Sequence, residues 1–165
     1  MNFQSVEGVI CLPYFLDEKS QIHDLEARGA FVGLHLGHTR AHLFRACLEC
    51  TGYGLRHHLD ILNLLGAPVT DMRVANSGAN YALRKQAVAD ALKLPLTPVV
   101  DHPGGSLGAA IVAAIGADLV EQWTDVDRFV LVGTPVEPDQ SAYAAMELDY
   151  GVYRDLEAAL RPLNH

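Results

Sequence analysis

"VANSGANYALRKQAVADAL", residues 74–92, decides how this chain is read. A short apolar run ends at Asn76-Ser77-Gly78-Ala79, and an amphipathic stretch follows. Two readings compete. Asn76 or Ser77 can cap the coming helix unaided. Alternatively, Gly78 has no side chain to hold a ligand away, and it stands just ahead of a helix N-terminus. Unpaired N–H groups and partial positive charge there suit a phosphate or the polar edge of a nucleoside. Spacing alone favours the plain cap, since a lone glycine without a Walker-type lysine pattern is weak evidence.

Working outward, strands and helices alternate. Residues 8–12, "GVICL", form an apolar run closed by Pro13 and read as a strand. Residues 16–30 are polar without a period and read as a loop carrying Gly29. The longest helical signal is "HTRAHLFRACLECTGYGLRHHLDILNLLGA", residues 38–67. Ala41, Leu43, Phe44, Cys47 and Leu48, then Leu55, Leu59, Leu62 and Leu65, recur at helical spacing. Gly52 and Gly54 are candidate bends, and Gly66 with Pro68 ends the helix. Residues 71–75 predict a strand and residues 79–92 a helix. "LPLTPVV", with its two prolines, predicts a strand near a sheet edge. "GGSLGAAIVAAIGA" predicts a small-residue helix, and "RFVLVGT" a strand. From Pro138 to Leu160 a helix is expected, with Tyr143, Met146, Tyr150, Tyr153 and Leu156 on its core side. This alternation indicates an α/β layer structure, and no repeat or linker divides it.

Composition bounds the function. The 165 residues suit one domain, and a hydrophobic half can bury a core. A net charge of -8 argues against nucleic acid or an anionic membrane as the main partner. No segment reads as a membrane span, and residues 1–15 lack a signal-peptide pattern. Three cysteines, an odd count, predict a reducing, cytoplasmic setting without a disulfide framework.

Several side chains invite chemical readings. His38 and His42 stand four apart, a zinc-compatible spacing, but no third ligand or HExxH glutamate accompanies them. A partly exposed helix face is the simpler reading, and no metal ligand is assigned. Cys47 and Cys50 read as buried small hydrophobes. Arg45 and Glu49 read as a surface pair or interdomain contact, and His57-His58 as solvated surface. Asp17, Glu18 and Lys19 read as solvated.

Ordered motifs then carry a resemblance. "LPYFLDEKSQIHDLEARGAFVGL" supplies Leu12, Pro13, Tyr14, Glu18, Ala27, Arg28 and Gly29. "GAFVGLHLGHTRAHLFRACLE" supplies Gly33, Leu34, His42, Leu43, Ala46 and Glu49. "NSGANYALRKQAVAD" supplies Gly78, Ala79, Gln86, Ala89 and Asp90. "SLGAAIVAAIG" and "YAAMELDYGVYRDLEAAL" follow in order. Together they resemble the C-terminal domain of the FGGY carbohydrate kinases over nearly the whole chain.

The resemblance implies an actin-like, ribonuclease-H-like ATPase domain, here a single partial domain over residues 1–165, truncated at its N-terminal side. It implies ATP with Mg2+ as cofactors and a sugar or polyol as the phosphate acceptor of a complete enzyme. It also implies nucleotide contact by Asn76, Ser77, Gly78, Ala79, Asn80 and Tyr81. Asn76 and Ser77 stand where the family has glycines, and Tyr81 where it commonly has serine or asparagine. The added Cβ atoms and phenol crowd the nucleotide's path, which predicts weak binding. The family's catalytic aspartate and first phosphate loop belong to a part without counterpart here, so no catalytic residue is assigned and the isolated chain is expected to be inactive. The expected partners are an N-terminal kinase subunit or a second copy of the chain. A non-catalytic remnant or self-associating subunit is the alternative reading.

Overall fold

The computed structural model describes residues 7–15, 22–75, 80–100 and 104–164. Strand β1 (Ile10–Leu12) pairs antiparallel with β2 (Ala30–Val32), with Ile10 opposite Val32. Helix α1 (Arg40–Leu64) follows, then β3 (Met72–Val74) and α2 (Ala82–Leu92). Strand β4 (Leu96–Val100), helix α3 (Gly105–Gly116) and a 3-10 helix (Trp123–Phe129) come next. Strand β5 (Leu131–Val132), a 3-10 turn (Gln140–Ala142) and α4 (Tyr143–Asn164) complete the order. The second sheet runs β3-β4-β5, with β3 parallel and β5 antiparallel to β4. The mixed α/β reading holds.

Three expectations need correction. Residues 30–32 form a strand, where the polar run 16–30 read as a loop. Strand β4 lies between β3 and β5 among the described residues, away from the edge its prolines suggested. The sheet tolerates Pro98 because its missing N–H falls where the ladder towards residues 131–136 is interrupted. There Leu96 exchanges both backbone bonds with Val136, and the Pro98 carbonyl accepts the Gly133 N–H at 2.7 Å. The strand read over "RFVLVGT" shrinks to Leu131–Val132, because the 3-10 helix takes Arg128 and Phe129.

Packing explains the rest. The main core joins β1 (Ile10, Cys11, Leu12) to α1 (Ala46, Cys50, Tyr53) and α4 (Met146, Tyr150, Tyr153). Tyr150 and Tyr153 of α4 are thus core, as their spacing predicts, whereas Tyr143 is half-buried outside this cluster with Lys93 over its ring. Buried phenols need partners or water. The Tyr14 and Tyr153 hydroxyls meet at 3.1 Å, and the Tyr150 hydroxyl donates to Asp60. Arg56 covers the Tyr150 ring at 4.2 Å and pairs with Glu147, which also takes Lys93 at 2.6 Å. A second cluster seats α2 (Val88, Ala89, Leu92) on Leu96 of β4, with Leu59, Met72 and Val74 around it.

Helix α1 continues through Gly52. Gly52 lets α2 approach: a Cβ on it would lie 2.6 Å from the Ala91 Cβ and 3.2 Å from the Ala87 carbonyl oxygen. Only a bare Cα fits there. Gly151 on α4 has nothing within 4 Å of the same added atom. Gly52→Ala therefore forces the helices apart, and we expect a loss of about 1–3 kcal/mol. Gly151→Ala is expected to be neutral or to gain up to about 1 kcal/mol from helix propensity. Urea melts of the two variants check this. Equal effects at both positions would contradict the packing argument.

Candidate functional site

The site grows from the α1–α2 contact. Phe44 and Leu48 stand two turns and one turn before Gly52, on the same stripe of α1. Ala82, Leu83 and Arg84 open α2, ahead of Ala87 and Ala91. The helices touch at glycine and alanine, and the N-terminal halves part around larger side chains. The gap is a cavity of about 470 Å³ lined by Phe44, Leu48, Asn80, Tyr81, Ala82, Leu83 and Arg84.

The lining is mainly apolar and partly aromatic. Phe44 is 62 % exposed and Tyr81 66 %, so two large rings stand in solvent around one opening. Exposed rings that frame a concave gap suit a flat apolar ligand. Polar groups sit on one side. Tyr81 is the N-cap of α2, its side chain makes no capping bond, and the first turn holds no acidic residue. The first helical bond runs from the Lys85 N–H to the Tyr81 carbonyl at 3.0 Å. The amides of Ala82, Leu83 and Arg84 precede that bond, at the positive end of the helix. Arg84 makes no ion pair among the described residues. The arrangement can hold an aromatic ring in the gap and an anion at the helix start.

Of the residues expected to contact nucleotide, Asn80 and Tyr81 line this cavity. Asn76, Ser77, Gly78 and Ala79 lie outside the described residues, as do Asp17, Glu18 and Lys19. Sequence reasoning missed Phe44, Leu48, Leu83 and Arg84. The available signal was the i, i+4, i+8 series Phe44, Leu48, Gly52, which marks one stripe changing from large to small.

A polar clamp fixes the far end of α2. Asp90 is buried and accepts from Gln86 Nε2 and from the Asp139 N–H, both at 2.7 Å. Gln86 also donates to the Glu137 carbonyl at 2.9 Å. Asp139 in turn accepts the Ser141 N–H and hydroxyl, which hold its carboxyl below the usual range. Two positions that carry the family resemblance, Gln86 and Asp90, thus tie α2 to the chain entering α4.

Two surface readings are corrected. Glu49 is 4 % exposed and takes Arg45 Nε at 2.5 Å, so this i, i+4 pair is buried. Burial outweighs the Arg45 contact and pushes the Glu49 carboxyl up, with Asp149 and Asp90 adding to it. His57 is 8 % exposed, and burial holds its ring below the usual histidine range. The adjacent His58 is half-buried, with Nδ1 on the Gly54 carbonyl at 2.9 Å.

His38 and His42 are not an i, i+4 pair on one helix, although their rings stand edge to face with centroids 5.3 Å apart. His38 precedes α1, and His42 Nδ1 accepts the Thr39 N–H at 2.9 Å in a cap. Cys50 is buried as expected and donates to the Cys47 carbonyl at 3.1 Å. Cys47 lies 3.9 Å from the Cys11 sulfur, and burial raises its thiol to about 11, so it stays protonated near neutrality.

The helix pair against a mixed sheet shares the actin-like ATPase fold of solved carbohydrate kinases. Residues 4–117 match the model of the FGGY family of carbohydrate kinases, C-terminal domain. The chain belongs to that family, as the C-terminal part of such a kinase. It is 29 % identical over 147 residues to a xylulose kinase of Staphylococcus epidermidis, covering 88 % of this chain and 30 % of that protein. It is 28 % identical over 160 residues to a glycerol kinase of Limosilactobacillus reuteri, covering 96 % and 32 %. The solved xylulose kinase from Rhodospirillum rubrum superposes with a TM-score of 0.84 at 36 % identity, over 97 % of this chain and 32 % of that one. The chain thus spans about a third of the length of these relatives. Among the described residues, no helix is long and apolar enough to cross a membrane.

The buried carboxyls generate a pH prediction. Burial alone pushes the half-buried Asp149 carboxyl above its ordinary range. A raised folded-state value favours folding while the group is protonated, and that contribution is lost as pH rises through the folded value. Asp149→Asn removes this loss. The variant should gain melting temperature relative to the parent as pH rises from about 4, the ordinary aspartate value, through the raised folded value. A difference that is constant, or that shrinks with rising pH, would show that the Asp149 charge is accommodated.

Proposed function

We propose that residues 1–165 are a single partial domain, the nucleotide-side part of an ATP-dependent kinase for a sugar or polyol hydroxyl, working in the cytoplasm. The cavity between α1 and the start of α2 carries this reading. Adenine would lie against Phe44 and Tyr81, with Leu48 and Leu83 closing the slot, so the Tyr81 ring would serve as a stacking face rather than crowd the nucleotide. Asn80 offers an amide for the base or ribose edge. The amides of Ala82–Arg84 and the Arg84 guanidinium offer positive charge for phosphate. Asn76, Ser77, Gly78 and Ala79 belong to the same proposed contact.

The residues fit ATP better than they fit its metal. Among the described residues the lining includes no carboxylate, and Mg2+ would be held there through the phosphates. When bound, it would supply charge neutralisation for phosphoryl transfer. Transfer also needs a base and a positioned acceptor. Among the described lining residues none is an acid or base of that kind, and we assign no catalytic residue in this chain. The relatives are about three times as long, and we read their remaining two thirds as the kind of partner that would supply these groups, as one subunit or one chain. A second copy is the alternative partner for the apolar surface at Leu119, Trp123, Phe129 and Leu131.

Calorimetry with ATP and Mg2+ tests the site. Binding should be weaker than about 1 μM, since ~8 kcal/mol is more than one crowded half-site should deliver. Tyr81→Ala and Phe44→Ala should each weaken it about fivefold or more, the loss expected for a base–aromatic stack. A coupled ADP-release assay over pentoses, hexoses and glycerol should show no acceptor-dependent turnover by these residues alone. Sub-micromolar affinity, unchanged affinity in both variants, or sugar-dependent turnover in pure protein would each overturn part of this reading.

A further inference from the structure

The antiparallel pairing of β1 with β2 sets Ile10 opposite Val32. The turn before β1 is therefore brought beside the loop after β2. Gly33 makes the approach close: it has φ +86, and a Cβ there would lie 2.4 Å from the Gly8 carbonyl oxygen. Glu7 precedes Gly8, and His35 and His38 follow Gly33 in that loop.

We propose that Glu7, His35 and His38 form a binding site for a zinc-like divalent cation. One ligand atom from each lies within 4.8 Å of the others, and no other such group of three occurs among the described residues. The two imidazoles lie side by side, ring centroids 3.7 Å apart. A tetrahedral ion with bonds of about 2.1 Å needs ligand atoms about 3.4 Å apart. An inward movement of about 1 Å by exposed side chains closes that difference.

The free valence points the same way. His38 Nδ1 accepts the His35 N–H at 2.9 Å, and His35 Nδ1 accepts the Gly37 N–H at 3.0 Å. Those contacts orient both rings. His38 Nε2 is left buried with no partner, and it becomes a ligand once its proton moves to Nδ1. Coordination through Nε2 puts the ring proton on Nδ1, so the His35 and Gly37 amides must turn away as the ion enters. Two imidazoles and one carboxylate suit Zn2+, Ni2+ or Co2+, whereas Mg2+ and Ca2+ prefer oxygen ligands. The ion would staple the turn before β1 to the loop that leads into α1. The site is separate from the cavity on α2 and does not depend on the kinase reading.

The test is titration of tag-free protein with Co2+ and Zn2+, read by Co2+ absorption and calorimetry. We expect one saturable equivalent and displacement of Co2+ by Zn2+. Glu7→Gln and His35→Asn, both at exposed positions, should weaken binding about tenfold or more. His23→Asn, at an exposed histidine outside the group, should leave it unchanged. The amide resonances of His35 and Gly37 should shift on loading. No saturable uptake, or uptake equally strong in Glu7→Gln and His35→Asn, would overturn the proposal and mark any binding as adventitious.

Discussion

Everything at the candidate site depends on how closely α1 and α2 meet at Gly52. With no Cβ at that point, Ala87 and Ala91 pack directly on the α1 backbone. One turn and two turns earlier, Leu48 and Phe44 replace the glycine with bulk. The same stripe therefore both joins the helices and props their N-terminal ends apart. The cavity is a consequence of side-chain size along one helix face. A bulkier residue at Gly52 would move α2, and with it the cavity-lining residues Tyr81, Ala82, Leu83 and Arg84.

The remaining core holds this helix pair in place. The matched family segment ends at residue 117, yet α4 supplies Met146, Tyr150 and Tyr153 to the main core. The last helix is thus part of the domain's hydrophobic closure. Asp90 reaches from α2 to the Asp139 N–H, four residues ahead of the first residue of α4, Tyr143. That contact links the end of α2 to α4 by hydrogen bonds, while Ala91 links it by packing. The network is polar where the chain turns and apolar where the helices cross, so neither layer can shift alone.

Long periodic elements were legible in the sequence, and short or context-dependent ones were not. Helix α1 carries seven turns of repeating apolar positions, and the α4 tyrosines recur at helical spacing, so both stand out. Strand β2 is three residues between glycines, too short for any period to register. Pro98 read as an edge signal because a missing donor usually needs solvent, but here the loss falls at a ladder break. Arg45 and Glu49 have the i, i+4 spacing of an exposed pair, and nothing local reveals that the fold buries them. At the site, Asn80 and Tyr81 were visible as part of a strand-to-helix passage. Phe44 and Leu48 were read only as helix positions, because their meeting with α2 is a tertiary event. The Glu7, His35 and His38 group was invisible for the same reason: hairpin register joins it, and spacing along the chain does not.

The central claim is that the start of α2 and the Phe44–Leu48 stripe of α1 form one nucleotide site. The most direct measurement is a ¹⁵N-resolved NMR titration of the chain with ADP. The account predicts saturable shifts in the amides of Asn80, Tyr81, Ala82, Leu83 and Arg84, joined by Phe44 and Leu48, with the β1–β2 hairpin unmoved. Saturable shifts that leave those seven amides in place and cluster elsewhere would contradict it.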